Sequence, residues 1–109
     1  MNLTLKIATI NTNGISANIK MHMLKDFIQR QDIDIALLQE ITNSNFAPMQ
    51  GYDMYFNEGT DKRGTAIFSK AELTITHIKR LPSGRGIAAL LEDTWIINIY
   101  TPPGPEYKN

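Results

Sequence analysis

Two residues with oxygen donors follow two apolar runs. Asn11 closes Ile7-Ala8-Thr9-Ile10, and Glu40 follows Ile35-Ala36-Leu37-Leu38-Gln39. A carboxylate beside an amide carbonyl is a hard oxygen pair that suits Mg²⁺ or Mn²⁺, with water and substrate phosphate filling the other positions. A cation held there would stabilise charge developing on a phosphodiester and its leaving oxygen. Tyr100, on the last apolar run and on the same face as Asn98, brings a phenol that can position a phosphate or share a proton. Lys62-Arg63, and Arg80 with Arg85, flank loops and could touch phosphates, although such pairs are more often a solvated rim. His22 and His77 lack metal-ligand spacing and read as structural. The Met21, Met23, Leu24 and Phe27 cluster reads as core packing.

These candidates need elements that bring them together. Leu3 to Ile10 has the pattern of a strand that is apolar on both faces, as in a covered, partly parallel sheet. Asn13-Gly14 breaks the run with a turn signal. Ile19 to Gln31 has helical period, with Met21, Leu24, Phe27 and Ile28 on one stripe. Asp32 to Leu38 follows as a short strand ending in Gln39-Glu40. Strand, helix and strand with short connections predict a parallel crossover, which sets both carboxyl ends on one sheet edge, where open α/β sheets bind ligands. Spacing alone favours a plainer alternative: Glu40 a solvated carboxylate at a strand exit, Asn11 a turn residue bonding its own backbone.

The rest of the chain predicts an aromatic segment at Tyr52 to Phe56 and a polar loop from Asn57 to Gly64. An antiparallel meander is then expected over Thr65–Ser69, Leu73–Lys79, Gly86–Leu91 and Trp95–Thr101, with turns at Pro82-Ser83-Gly84 and Glu92-Asp93-Thr94. The expectation is one mixed α/β domain over residues 1–109.

Composition narrows the function classes. The chain has 109 residues, 42% hydrophobic and 20% charged, which suits a soluble globular domain with a real core. Eleven basic and eleven acidic side chains cancel, so DNA contact requires a local patch or a cation. The absence of cysteine excludes disulfides and thiolate metal sites. No signal-peptide pattern or membrane-spanning run is present, and the expectation is an intracellular protein of nucleus or cytoplasm, with no membrane partner.

The ordered series Ile7-Ala8-Thr9-Ile10-Asn11-Thr12-Asn13-Gly14-Ile15, Ile35-Ala36-Leu37-Leu38-Gln39-Glu40, Gly64-Thr65-Ala66-Ile67-Phe68-Ser69 and Ile97-Asn98-Ile99-Tyr100-Thr101-Pro102 resembles the opening of the endonuclease/exonuclease/phosphatase superfamily. Within it, the chain is most similar to the apurinic-like endonuclease domain of non-long-terminal-repeat retrotransposons. Each motif is weak alone, but four in order reverse the preference for the plainer alternative.

The resemblance implies a fold, a site and a substrate. The fold is about half of the four-layer α/β sandwich of the exonuclease III/deoxyribonuclease I-like type, with a mixed sheet and helices. The site places Asn11 and Glu40 at a Mg²⁺ or Mn²⁺ ion and Tyr100 at the scissile phosphate, Glu40 and Tyr100 being the catalytic candidates. Asn13, Arg63 and Asn98 are candidate substrate contacts, and the substrate is DNA.

The family's later Asp-x-Asn and Ser-Asp-His motifs are absent from these 109 residues. The chain is therefore expected to be the N-terminal part of a target-nicking endonuclease, catalytically incomplete alone. The apolar sheet face such a half exposes would meet the missing C-terminal half or a second copy, as a homodimer. Two other readings are a non-catalytic relic serving as a dimerising interaction module and a small α/β binding domain with a coincidental likeness.

Overall fold

The computed structural model describes residues 4–14, 18–42, 46–60 and 62–101. Its elements are β1 (Ile7–Asn11), α1 (Asn18–Arg30), β2 (Ile35–Ile41), β3 (Tyr52–Asn57), β4 (Gly64–Lys70), β5 (Ile75–Arg80), a 3₁₀ turn (Pro82–Gly84), β6 (Gly86–Leu91) and β7 (Thr94–Ile99). The expected position of Leu3 in the first strand lies outside the described residues.

α1 lays Met21, Leu24 and Ile28 into the core, while Phe27, assigned to the same stripe, remains 48% exposed. The helix ends in a Schellman motif. Asp32 takes a positive φ of 51°, its N–H donates to Gln29 O at 3.1 Å, and the Ile33 N–H donates to Ile28 O at 3.1 Å. The apolar pair that accompanies this motif is Ile28 with Ile33, both buried in one cluster. Asp32 thus stops the helix rather than opening the next strand.

Lys6 and Asp34 then set the register of the first strand pair. The Asp34 N–H donates to Lys6 O at 2.8 Å, and the Lys6 N–H donates to the Asp34 carboxylate at 2.7 Å. From there β1 and β2 run parallel, Ile7 opposite Ile35 through Asn11 opposite Gln39. The parallel crossover expected from the sequence is present.

The expected four-stranded meander is not. β4 leaves it and inserts into the first sheet, giving the order β1-β2-β4-β3, while β5-β6-β7 form a second, antiparallel sheet. Burial explains the exchange. β4 has small or apolar side chains on both faces, and Gly64 through Ser69 are all buried, so it is most stable as an interior strand covered on both sides. One face, with Ala66 and Phe68, packs under α1 beside Leu38 and Phe46. The other, with Ile67, packs with Ile35 against Ile87, Ala89 and Leu91 of the second sheet. The layers are helix, four-stranded sheet and three-stranded sheet.

Both faces of β2 are therefore covered within the chain, and the apolar surface left outside lies elsewhere. Among the described residues it includes Ile7 on edge strand β1, Ile19, Met23 and Phe27 on α1, Leu81 before the 3₁₀ turn, and Trp95, Ile97 and Ile99 on the outer side of β7. Among the described residues no helix is long and apolar enough to cross a membrane.

Candidate active site

The register carries Asn11 to the level of Gln39, one residue short of Glu40. Glu40 closes the gap because β2 bulges there. Gln39 pairs with Thr65 and Ile41 with Gly64, leaving Glu40 as the unpaired residue with a positive φ of 55°. A bulge re-aims a side chain, and a left-handed glutamate costs roughly 1–2 kcal/mol that the surroundings must offset. The local hydrogen bonds do so. Buried Thr12 donates from N–H to Gln39 O at 2.9 Å, and its hydroxyl lies 3.1 and 3.0 Å from Gln39 O and Glu40 O. The Gly14 N–H donates to Glu40 O at 2.8 Å. The Thr12-Asn13-Gly14 turn thus clamps the bulge.

Within this clamp the Asn11 side-chain N–H donates to Glu40 Oε2 at 2.7 Å. Asn11 Oδ1 accepts the Asn13 N–H at 2.8 Å, which fixes the orientation of the amide. Both parts of the plainer alternative bear on this: Asn11 does bond its own backbone, yet it also orients Glu40, whose side chain is only 14% exposed. Arg63 Nη1 ion-pairs with Glu40 Oε1. Structure therefore gathers Asn11, Asn13, Glu40 and Arg63, with Asn13 exposed on the turn.

A hard cation is compatible with this donor set. Glu40 offers carboxylate oxygens and Asn11 retains one lone pair on Oδ1. Among the described residues no group of three or more His, Cys, Asp or Glu could hold a metal, so water and phosphate would supply most of the shell, as is common for Mg²⁺.

Tyr100 lies just past β7, not within it. Its N–H donates to Arg85 O at 2.8 Å, continuing the ladder in which Gly86 faces Ile99. Tyr100 and Arg85 therefore stand opposite each other, within reach across the two strands. Arg85 was legible in the sequence only as a loop cation; its alignment with Tyr100 depends on strand register.

Asn98 differs from its expected role as a substrate contact. It is 2% exposed, and its side-chain nitrogen donates to Leu38 O and Ala66 O, both at 2.9 Å. Its Oδ1 accepts from Gln39 Nε2 at 2.8 Å. With its amide hydrogens committed to main-chain carbonyls, Asn98 joins the two sheets. His22 and His77 are both exposed.

Residues 8–104 match the endonuclease/exonuclease/phosphatase family. The chain belongs to this family. As a member, it is 28% identical to an exodeoxyribonuclease of Bacillus subtilis over 90% of its own length and 43% of that protein's. It superposes on an AP endonuclease from Archaeoglobus fulgidus with a TM-score of 0.71 at 25% identity, covering 89% of this chain and 41% of that one. A 3′ phosphatase, NExo, from Neisseria, bound to product DNA hairpin, shares the fold with a TM-score of 0.70 at 22% identity, again over 89% and 41%. The family domain described here spans less than half the length of these relatives.

Proposed function

We propose that this chain is the N-terminal part of a divalent-metal-dependent DNA endonuclease domain, of the kind that nicks target DNA for a non-long-terminal-repeat retrotransposon. The observation that carries the reading is the 2.7 Å hydrogen bond between Asn11 and Glu40, which joins two strand ends at one rim of the sheet. Glu40 would hold Mg²⁺ or Mn²⁺, and Asn11 would orient it. When bound, the cation would stabilise negative charge on the phosphate and the leaving oxygen.

The chain's own groups would then act on the DNA backbone. Tyr100 would donate its hydroxyl hydrogen to a phosphate oxygen, and Arg85 opposite it would add a charged donor. Asn13, exposed on the turn, would reach a neighbouring phosphate. No residue of the chain matches the family's Asp-x-Asn aspartate or Ser-Asp-His histidine, so activation of the attacking water and proton delivery would fall to groups outside these 109 residues. Each such group contributes roughly 10²–10⁴-fold in rate, so the chain alone is expected not to nick DNA.

The test combines binding and activity. Calorimetry should detect Mn²⁺ binding that Glu40→Gln removes, and fluorescence anisotropy should detect a short duplex whose binding weakens in Arg85→Ala. Supercoiled plasmid with Mg²⁺ should remain intact. Nicking that Glu40→Ala abolishes would disprove the incompleteness, while the absence of any Mn²⁺ binding would disprove the metal role of Glu40.

The exposed apolar residues of α1 and β7 favour a second reading, in which the same fold serves as a non-catalytic dimerising module. A monomer by light scattering at low micromolar concentration would eliminate it.

A further inference from the structure

Arg63 touches both elements that build the site. Its Nη1 pairs with Glu40 Oε1, and its guanidinium lies against Gly14. A Cβ placed on Gly14 would sit 3.4 Å from Nη2 and 3.6 Å from both Cζ and Nε. Gly14 also has a φ of +74°, so the turn needs glycine for its backbone, and the arginine packs against it. With Asn11 on Oε2 and Arg63 on Oε1, both oxygens of Glu40 are engaged and its charge is balanced inside the chain.

We propose that Arg63 and a divalent cation compete for the Glu40 carboxylate, so that Arg63 sets the cation affinity of the site and is released when the cation binds. The inference rests on the metal role proposed for Glu40. Its physical basis is charge. A cation on Oε1 would place two further positive charges within a few ångströms of the guanidinium, beside a largely shielded carboxylate where repulsion is poorly screened. Arg63 can yield because its side chain is 45% exposed and its long stem can carry the charged head into water. Glu40 cannot follow, because the bulge and the Thr12–Gly14 clamp hold it.

The probe is Mn²⁺ titrated into the 109-residue chain by calorimetry, with the circular dichroism spectrum of each variant compared for fold. Arg63→Ala should bind Mn²⁺ about two- to fivefold more tightly than the unsubstituted chain, the size expected for removing a partly exposed ion pair. Arg63→Lys, which keeps the charge but not the planar fork, should fall between them, and Glu40→Gln should bind none. Equal or weaker binding by Arg63→Ala would overturn the competition while leaving the metal role of Glu40 standing. No binding by either protein would remove both.

A second measurement needs no substitution at Arg63. Mg²⁺ should shift the Arg63 Nε–Hε resonance in the unsubstituted chain and leave it unmoved in Glu40→Gln. A resonance indifferent to Mg²⁺ in the unsubstituted chain would refute the release.

Discussion

Gln39 of β2 and Asn98 of β7 join side chains across the two sheets, Gln39 Nε2 donating to Asn98 Oδ1 at 2.8 Å. The same Gln39 nitrogen donates to Thr9 Oγ1 at 2.9 Å, so one polar chain crosses from the edge of the first sheet to the second. It lies immediately before the Glu40 bulge and couples the site to the packing of the sheets.

Asn98→Ala should therefore act on stability. Gln39 Nε2 loses an acceptor, while Leu38 O and Ala66 O each lose a donor. A loss of about 2–3 kcal/mol is expected from such orphaned buried groups. Urea unfolding with an unchanged denaturant slope would measure it, and a loss under about 0.5 kcal/mol would contradict the bridging role.

Glu40 tests the backbone strain separately from the chemistry. Both Glu40→Ala and Glu40→Gly remove the ion pair with Arg63 and the bond from Asn11, but only glycine is at ease at a φ of 55°. Glu40→Gly should be more stable than Glu40→Ala by about 1 kcal/mol. Thermal unfolding of the pair would decide; the reverse order would mean that the bulge relaxes when its side chain is lost.

Gly64 is required for space rather than for φ. A Cβ there would lie 2.1 Å from Asn57 O, a backbone atom with little freedom to move. Gly64→Ala should cost about 3 kcal/mol and disturb the β3–β4 hairpin beside the Glu40 bulge. Equilibrium denaturation gives the magnitude, and near-native stability would show that the hairpin shifts without penalty.

Asp34 predicts an acid limb. The Lys6 backbone N–H, at 2.7 Å, holds its carboxyl below the usual range; partial burial opposes this, and the Lys70 ammonium at 3.1 Å reinforces it. A depressed folded pKa contributes stability that is fully present above the unfolded value of about 3.9 and is lost as pH falls through the folded value. The thermal midpoint should drop as pH falls below about 4, and Asp34→Asn should flatten that dependence. An identical acid slope in the variant would place the effect on other carboxylates.

The meeting of Asn11 and Glu40 was legible because local signals and topology agree. Apolar runs ending at Asn11 and Gln39-Glu40, with a helical period between them, imply parallel neighbours, and parallel neighbours put their carboxyl ends on one edge. The Asn13-Gly14 turn was equally visible, since its backbone demands a residue tolerant of positive φ. The buried stripe of α1 followed from its spacing for Met21, Leu24 and Ile28, whereas Phe27 and Met23, both read as core packing, are exposed.

Tertiary structure alone decided where β4 pairs and how Glu40 and Asn98 are aimed. Periodicity reports how many faces of a strand are buried but not the partner that buries them, so β4 read as part of the meander although its double burial belongs between β2 and β3. The positive φ of Glu40 has no signature in a glutamate, because the Thr12–Gly14 clamp that sustains it comes from the turn after another strand. Asn98 read as a substrate contact because nothing near it in sequence offers the carbonyls it binds; Leu38 and Ala66 supply them from across the core. Sequence thus determined the donors and the edge on which they meet, while long-range hydrogen bonds and packing determined their aim.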